Sequence, residues 1–233
     1  MIPWLHPGDR FPPVAKALRE PNGLLAAGGN LSARQLIEAY RQGIFPWFNP
    51  GEPILWWSPD PRMVLFPAEL KVSRSLRKVL KKRDYEVRVD TSFARVMRNC
   101  AAPRNGQPGT WISEEMISAY TRLHEMGLAH SVETWREGEL IAGLYGIALG
   151  KMFYGESMFS RATDASKIAF VHLVRQLERW KFGMIDCQMK TAHLAQSRAP
   201  AKSPATRFVQ RLGLLIELPL EPGRWQFDDD LPE

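Results

Sequence analysis

The stretch AHSVETWREGELIAGLYGIALGKMFYGESMF, residues 129–159, decides the fold of this 233-residue chain. It consists of runs rich in apolar and aromatic residues, which are typical of β-strands. Glu137-Gly138 and Gly150-Lys151 separate these runs as hairpin signals. The pattern therefore predicts three consecutive antiparallel strands, at Ala129–Arg136, Leu140–Leu149 and Met152–Phe159.

A helix and a further strand follow this meander. The spacing of apolar residues predicts a helix from about Asp164 to Trp180, and Met184–Met189 is predicted as a strand returning beside the sheet. Three antiparallel strands, a helix and a returning strand is the order of an acetyltransferase-like (GNAT-like) core. By that analogy we expect an α+β fold with a mixed sheet.

Shorter elements precede the meander. The patterns predict two strands, at Met63–Phe66 and Tyr85–Asp90, and three helices. The helices run from Ser73 to about Lys82, over Ser92–Cys100, and from the N-cap Ser113 to Gly127.

The first 62 residues are rich in Pro, Gly and Trp. They contain one clear helix signal, in which Ser32 and Gln35 form a capping box and Gly43 can end the helix. The rest is predicted as ordered loop, because prolines interrupt the aromatic runs. We therefore expect a small N-terminal domain at 1–62 and a larger domain at 63–233.

Composition narrows the class of protein. The chain is 45% hydrophobic and carries 31 Lys and Arg against 25 Asp and Glu, which is typical of a globular protein. No apolar run approaches the roughly 20 residues of a membrane span, and the N-terminus lacks signal-peptide features. Cys100 and Cys187 are too few for a disulfide framework. We expect a soluble cytoplasmic protein.

Metal and nucleotide signatures are missing from the sequence. The histidines have no ligand spacing, and the region around Gly28-Gly29 lacks both phosphate-loop and dinucleotide fingerprints. The segment 160–164, SRATD, lacks the glycines that would let backbone approach the pyrophosphate of coenzyme A. No metal and no cofactor are predicted.

Positive charge is concentrated on the helix that starts at Ser73. Arg74, Arg77, Lys78 and Lys81 share one face, and no acid interrupts the segment between Lys71 and Arg83. Phosphate is a natural counter-charge, so this face is a candidate nucleic-acid contact. A solvated amphipathic helix explains the pattern equally well.

Carboxylates occur in two apolar strands. Alternation predicts that Tyr154, Glu156, Met158 and Ser160 share one face, and that Asp186 and Gln188 share a face opposite Cys187. If the strands are neighbours, Glu156, Asp186 and Gln188 converge. Buried acids are costly unless hydrogen-bonded, so the three are site candidates. Alternatively, each acid caps a backbone group or pairs with a structural Arg.

Two apolar sets have two interpretations each. Phe170, Leu173 and Leu177 form a stripe on the predicted helix that would face the sheet, and such stripes are core more often than pocket. Aromatics in the Pro-rich and Gly-rich loops could stack on a base or could pack the small domain against the large one. These aromatics are Trp47, Phe48, Trp56, Trp57 and Trp111.

Six ordered segments closely resemble bacterial leucyl/phenylalanyl-tRNA-protein transferases, from about Leu18 to Leu194. They are LREPNGLL at 18–25, GIFPWF at 43–48, LWWSPDPR at 55–62, GTWI at 109–112, YGESMFS at 154–160 and IDCQ at 185–188. The resemblance implies transfer of Leu or Phe, and more weakly Met, from tRNA to the N-terminal Arg or Lys of a protein. The modified N-terminus marks that protein for degradation. It further implies a GNAT-like domain without coenzyme A.

The resemblance also implies residue roles. Asp186 and Gln188 match residues proposed for peptide-bond formation, and Glu156 and Trp47 match residues near the aminoacyl-adenosine end. Trp111 and Ser160, in matched segments, are expected to bind substrate. Leu144, Met158, Phe170, Leu173, Leu177 and Ile185 would line the side-chain pocket, and Arg74, Arg77, Lys78, Lys81 and Lys82 would bind tRNA.

The match weakens after His193. Where the family continues with Ser-Leu-Gly and later Ile-Pro-Arg, this chain has Gln196-Ser197-Arg198 and Lys202-Ser203-Pro204. We expect Asp186, held by Gln188, to bind the acceptor ammonium and assist its deprotonation while Glu156 helps to fix the terminal adenosine or amino group of the donor, or these two roles to be exchanged. A monomer is expected. Acyl transfer from coenzyme A and non-catalytic RNA binding remain the alternatives.

Overall fold

The computed structural model describes residues 2–103, 110–188 and 201–228, and within them the chain forms two β-sheets and six α-helices. The smaller sheet has four strands in the order β1-β2-β4-β3. Its elements are β1 (Trp4–Leu5), β2 (Leu24–Gly28), α1 (Ala33–Arg41), β3 (Phe45–Pro46) and β4 (Leu55–Trp57).

This small sheet corrects the prediction that the N-terminal residues outside α1 are loop. β4 is a central strand, hydrogen-bonded to both β2 and β3. Pro46 lies in β3, an edge strand, where a missing N–H costs no ladder bond. The prolines therefore shorten the strands without preventing the sheet.

The capping box of α1 is only half formed. Ser32 Oγ accepts a hydrogen bond from the Gln35 backbone N–H at 3.3 Å, as predicted. The Gln35 side chain instead accepts from the Asn30 backbone N–H at 3.0 Å. Ser32 N–H donates to Asn30 Oδ1, so Asn30 takes over the second half of the cap.

The larger sheet has seven strands in the order β11-β5-β10-β9-β8-β7-β6. β10 is parallel to β9, and the other neighbouring pairs are antiparallel. Its strands are β5 (Arg62–Leu65), β6 (Glu86–Val89), β7 (Ala129–Arg136), β8 (Glu139–Leu149), β9 (Met152–Ser160), β10 (Met184–Asp186) and β11 (Ala201–Ser203). The remaining helices are α2 (Arg74–Lys82), α3 (Phe93–Ala101), α4 (Glu114–Glu125), α5 (Ala165–Arg179) and α6 (Ala205–Leu215).

The α+β class with a mixed sheet is confirmed. The predicted order of three antiparallel strands, a helix and a returning strand is present as β7, β8, β9, α5 and β10. β10 ends at Asp186, earlier than predicted, and Met189 lies outside the described residues. The division at residue 62 stays a prediction: β5 begins there, and one hydrophobic cluster contains Trp56 of the small sheet and Tyr145 of the large one.

A β-bulge in β9 corrects the predicted strand faces. Gly146 pairs with Gly155, whereas Tyr145 pairs with Ser157, so Glu156 is the extra residue. Tyr154 consequently packs in one core cluster while Met158 packs against the cluster on the opposite face. A β-carbon at Gly146 would lie 2.2 Å from the Tyr154 carbonyl oxygen, so this register requires glycine.

β9 and β10 run together only briefly. Their pairing covers Met184–Asp186 and Met152–Tyr154, after which β9 continues to Ser160 beside β8 alone. Within the described residues the two strands therefore separate at Asp186. The gap that opens between them, beneath α5, holds the candidate site.

Candidate functional site

A cavity of about 750 Å³ lies where β9 and β10 separate. The residues that the sequence predicted for the site and that line this cavity are Trp47, Trp111, Leu144, Glu156, Met158, Ser160, Phe170, Leu173, Ile185, Asp186 and Gln188. Sequence reasoning did not assign several other lining residues to the site, among them Phe45, Asn99, Tyr145, Phe153, Phe159, Arg161, Ser166 and Cys187.

Asp186, at the end of β10, is fully buried and paired with Arg62 at the start of β5. Arg62 Nε donates to Asp186 Oδ1 at 2.8 Å, and Nη2 donates to Oδ2 at 2.6 Å. The backbone N–H of Gln188 donates a further bond to Oδ1 at 2.8 Å. Both carboxylate oxygens are therefore occupied, which matches the structural-arginine alternative left open by the sequence.

Arg62 is itself held between two aromatic rings. Its guanidinium carbon lies 4.7 Å from the centroid of Phe45 in β3 and 4.9 Å from that of Phe208 in α6. Arginine stacks well on aromatic faces, and its rigid, planar guanidinium binds a carboxylate through two parallel hydrogen bonds. The Arg62 side chain is therefore pre-organised to bind Asp186. Asp186 is thereby bound directly by β5 through Arg62, and β3 and α6 hold Arg62 in place.

Glu156, the bulged residue of β9, receives donors from three side chains. Tyr40 OH and Gln188 Nε2 each donate to Oε1 at 2.8 Å, and Tyr120 OH lies 3.4 Å from Oε2. Gln188 has φ of 56°, in the left-handed region, which is an uncommon conformation for a non-glycine residue. Glu156, Asp186 and Gln188 thus converge as the strand pattern predicted.

The two carboxylates have different electrostatic surroundings. Burial, with a contribution from the Asp186 charge, raises the pKa of Glu156 to about 8, although the Tyr40 hydrogen bond opposes the shift. Burial also raises the pKa of Tyr40 and Tyr120 well above the usual value, so both remain neutral donors. Glu156 can therefore exchange a proton near neutral pH.

The apolar part of the cavity lies between the sheet and α5. Leu144, Met158, Phe170, Leu173 and Ile185 line it as expected. Leu177 does not, which corrects its assignment to the pocket. It is one turn further along α5, fully buried in the core cluster that also contains Leu173.

The loop aromatics also divide into residues that line the cavity and residues that are packed in the core. Trp47 is 39% exposed, and both Trp47 and Trp111 line the cavity. Trp56 is fully buried against Phe11, with ring centroids 4.8 Å apart, and Phe48 is also core. The two interpretations offered by the sequence therefore apply to different residues.

Ser160 and Cys187 line the cavity without being free reactive groups. Ser160 Oγ donates to the Ala162 carbonyl at 2.8 Å and accepts from the Ser166 backbone N–H at 3.3 Å, which joins β9 to α5. Burial beside Asp186 raises the pKa of the Cys187 thiol to about 12. Its neutral thiol is therefore unsuited to nucleophilic attack at neutral pH.

The basic helix α2 is formed as predicted. Ser73 caps it with a bond from Leu76 N–H, and its apolar side packs against Ile168 and Val171 of α5. At 100° per residue, these two positions lie on a different face of α5 from the cavity residues Phe170 and Leu173. The exposed basic residues are Arg74, Arg77, Lys78, Lys81 and Lys82.

Sequence reasoning did not assign three partners of the carboxylate cluster, Arg62, Tyr40 and Tyr120, to the site. Arg62 lies in the matched segment 55–62, but nothing there indicated its partner. Arg62 is separated from Asp186 by 124 residues, so no local pattern could pair them.

Across the described residues there is no cluster of three potential metal ligands from His, Cys, Asp and Glu. The same part of the chain has no helix long and apolar enough to span a membrane.

Comparison with known proteins identifies two family matches along the chain. The family described as Leucyl/phenylalanyl-tRNA protein transferase matches residues 64–213, and the N-terminal domain of the same family matches residues 29–60.

Two relatives bear the name of the same family. A Leucyl/phenylalanyl-tRNA--protein transferase of Nitrosomonas europaea is 66% identical over 100% of this chain and 98% of its own length. Another with that name, from Chromobacterium violaceum, is 67% identical over 84% of both chains. Among solved structures, L-PGS from Bacillus licheniformis aligns with a TM-score of 0.42 at 11% identity, over 73% of this chain and 57% of that chain.

Proposed function

The chain belongs to the leucyl/phenylalanyl-tRNA protein transferase family, and we propose that it transfers Leu or Phe from aminoacyl-tRNA to the N-terminal Arg or Lys of acceptor proteins. It is an aminoacyltransferase. Met is a weaker donor in this proposal, and the product is an N-degron that directs the acceptor to degradation. The enzyme acts in the cytoplasm as a monomer and uses no cofactor.

The observation that carries the proposal is an apolar cavity that ends at a hydrogen-bonded carboxylate cluster. Met158, Phe170 and Leu173 offer an aliphatic and aromatic wall that suits a Leu or Phe side chain. Glu156, Gln188 and Asp186 stand where the strands separate. An aminoacyl ester whose side chain occupies the apolar part of the cavity would direct its carbonyl group toward these polar residues.

An aminoacyl ester is already activated, so the reaction needs no ATP. The acceptor α-amine attacks the ester carbonyl, the tRNA 3′-oxygen leaves as an alcohol, and one proton must leave the attacking nitrogen. A free α-ammonium has a pKa of about 7.7 to 8.0. A base with a similar pKa is well matched to this proton, and orientation supplies much of the remaining acceleration.

Glu156 is the better proton acceptor of the two carboxylates. Its pKa of about 8 is close to that of the ammonium, and it is partly exposed to the cavity. Asp186 has both oxygens engaged by Arg62 and the Gln188 backbone. We therefore assign proton transfer to Glu156, and to Asp186 the electrostatic anchoring of Gln188 and of the ammonium.

Donor recognition extends beyond the cavity. Trp47 and Trp111 provide stacking surfaces for the terminal adenine, a contact typical of single-stranded nucleic acid recognition. The exposed basic face of α2 offers phosphate contacts that are independent of sequence. Together they account for a tRNA donor better than for a small coenzyme.

A competition assay tests the proposed function. The protein is incubated with labelled Phe-tRNA, acetyl coenzyme A carrying a second label, and a peptide beginning with Arg. We expect the Phe label alone to reach the peptide, and a matched peptide beginning with Gly to receive little. Acetyl transfer would favour coenzyme A chemistry, whereas tRNA binding with no transfer would favour a binding protein.

A further inference from the structure

A pair of hydrogen-bond donors, Asn99 and Arg161, lies in the cavity wall apart from the carboxylate cluster. Asn99 is near the end of α3, and Arg161 directly follows β9. Both line the cavity, and neither has a role in the reaction described above. Arg161 is exposed and Asn99 is partly exposed.

The geometry of the pair is fixed by its own hydrogen bond. Arg161 Nη2 donates to Asn99 Oδ1 at 2.7 Å. Because a guanidinium can only donate, this bond identifies the oxygen of the Asn99 amide and turns its nitrogen away from Arg161. The backbone N–H of Arg161 donates to the Ile141 carbonyl, so the residue continues the sheet ladder and does not belong to a free loop.

Asn99 Nδ2 is buried and has no hydrogen-bond partner within the described part of the chain. A buried donor without an acceptor is costly. The guanidinium of Arg161 is exposed, carries a positive charge and is oriented by its bond to the Asn99 amide oxygen. Arg161 therefore presents donors to a ligand that carries oxygen acceptors and negative charge.

The carboxylates among the described lining residues are Glu156 and Asp186. Both belong to the carboxylate cluster at the bulge of β9, whereas Arg161 directly follows the end of that strand. Arg161 follows Glu156 by five residues, so at a rise of about 3.3 Å per residue their Cα atoms lie at most roughly 16 Å apart. An extended aminoacyl-nucleotide covers such a distance. The polar pair is thus within reach of the 5′-phosphate of the terminal adenosine.

We infer that Asn99 and Arg161 form a phosphate subsite that holds the last phosphodiester of the aminoacyl-tRNA donor. This inference rests on the proposed function and deepens it. The subsite fixes the terminal nucleotide from its 5′ side while the apolar wall holds the amino-acid side chain. Arg161 contributes charge and donors, and Asn99 orients the guanidinium through its amide oxygen.

Two matched ligands test the subsite without requiring turnover. They are the 3′-phenylalanylamido analogue of adenosine and the same compound with a 5′-phosphate. Titration calorimetry on the full chain should show that the phosphate strengthens binding about tenfold, the change expected for one charged hydrogen bond. Arg161→Ala should abolish this difference and leave the affinity for the unphosphorylated analogue unchanged.

Two further variants control the result. Arg98→Ala removes an exposed charge from the neighbouring position of α3, which is not among the lining residues, and should keep the phosphate preference. Asn99→Asp should lose the preference, since the new carboxylate repels phosphate and neutralises Arg161. Thermal melting verifies folding.

Several outcomes would overturn the subsite. These are equal affinity of the unsubstituted protein for both ligands, equal losses in Arg98→Ala and Arg161→Ala, or a preference that survives Arg161→Ala. Failure of the unsubstituted protein to bind either analogue would instead contradict the donor site of the proposed function itself. The two failures are therefore distinguishable.

Discussion

Glu133 and Glu156 are both acids within strands of the same sheet, yet their surroundings differ completely. Glu133 in β7 is fully buried, and its Oε1 accepts from the backbone N–H groups of Thr91 and Ser92 at 3.1 and 2.8 Å. Trp135 Nε1 donates to Oε2 at 3.1 Å. Ser92 is the N-cap of α3 and its own side chain makes no capping bond, so Glu133 caps that helix.

Glu156 has no such structural task among its described contacts. Its partners are the side chains of Tyr40, Tyr120 and Gln188, and it faces a cavity. Backbone donors at a helix start stabilise a fixed charge, whereas side-chain donors beside a cavity can exchange with a substrate. The partner set, and not the presence of an acid in a strand, distinguishes a carboxylate fixed at a helix start from one that faces the cavity.

The largest expected effect is that of Asp186→Asn. The change leaves Arg62 buried without its counter-charge, so we expect a loss of about 3 to 5 kcal/mol in unfolding free energy. Transfer should fall severely while tRNA binding changes little. Chemical denaturation, transfer assays and a tRNA binding titration measure the three quantities.

A double variant separates folding from function in that prediction. Arg62→Met with Asp186→Leu removes both charges, and replacing a buried ion pair by apolar residues is often neutral or stabilising. Stability should return while transfer does not. Near-normal turnover of either variant at saturating substrates would contradict the role of Asp186.

The two glutamates provide a direct test of the comparison. Glu156→Gln should lower the transfer rate on the order of 100-fold or more, the usual contribution of a general base, with a melting temperature at pH 7 no lower than that of the unsubstituted protein. Glu133→Gln should cost about 2 kcal/mol of stability and keep the transfer rate of the folded protein. Exchange of these two outcomes would refute the distinction between them.

The pH dependence of stability sharpens the same contrast. Burial raises the pKa of Glu156 from 4.5 to about 8, so the folded state binds this proton more tightly than the unfolded state. The resulting stabilisation is complete below about pH 4.5 and is lost as the pH rises through 8. Relative to Glu156→Gln, the unsubstituted protein should therefore lose unfolding free energy between pH 5 and pH 8.5. Parallel curves for the two proteins in this range would argue against a raised pKa.

A second comparison joins two leucines of α5, one in the cavity wall and one in the core. Leu173→Trp should suppress Phe transfer about tenfold more than transfer of a small donor such as Ala, because the indole fills space that the Phe ring needs. Leu177→Ala should cost about 2 to 5 kcal/mol of stability without changing donor preference. Competing donors on one acceptor peptide give the ratio. Equal loss for every donor in well-folded Leu173→Trp would place donor recognition elsewhere.

The smallest effect is expected on the basic face of α2, far from the chemistry. Replacing Arg77 and Lys78 with Ala should raise the KM for charged tRNA several-fold and flatten its salt dependence, with kcat unchanged. Transfer rates at several salt concentrations provide the slope. If the slope is unchanged, the helix is a solvated face without a phosphate contact.

Much of the architecture follows from local sequence patterns. Ser73 and Ser113 cap α2 and α4 as predicted, and the three strands of the meander and α5 begin and end within about one residue of their expected limits. Caps and periodicities act over a few residues, so a sequence determines them directly. The convergence of Glu156 with Asp186 and Gln188 also followed, because strand order placed their strands side by side.

Tertiary structure alone decided the features that give the cavity its chemistry. The bulge at Glu156 depends on a register between two long strands, which moves Met158 to the opposite face. The pairing of Arg62 with Asp186 joins residues 124 positions apart, and only packing selects that arginine from the many in the chain. The same holds for Leu173 and Leu177, which are alike in sequence context. Leu173 lines the cavity that opens where β9 and β10 separate, whereas Leu177 is packed in the core. Strands distant in sequence, and not neighbouring residues, determine the space around each of these side chains.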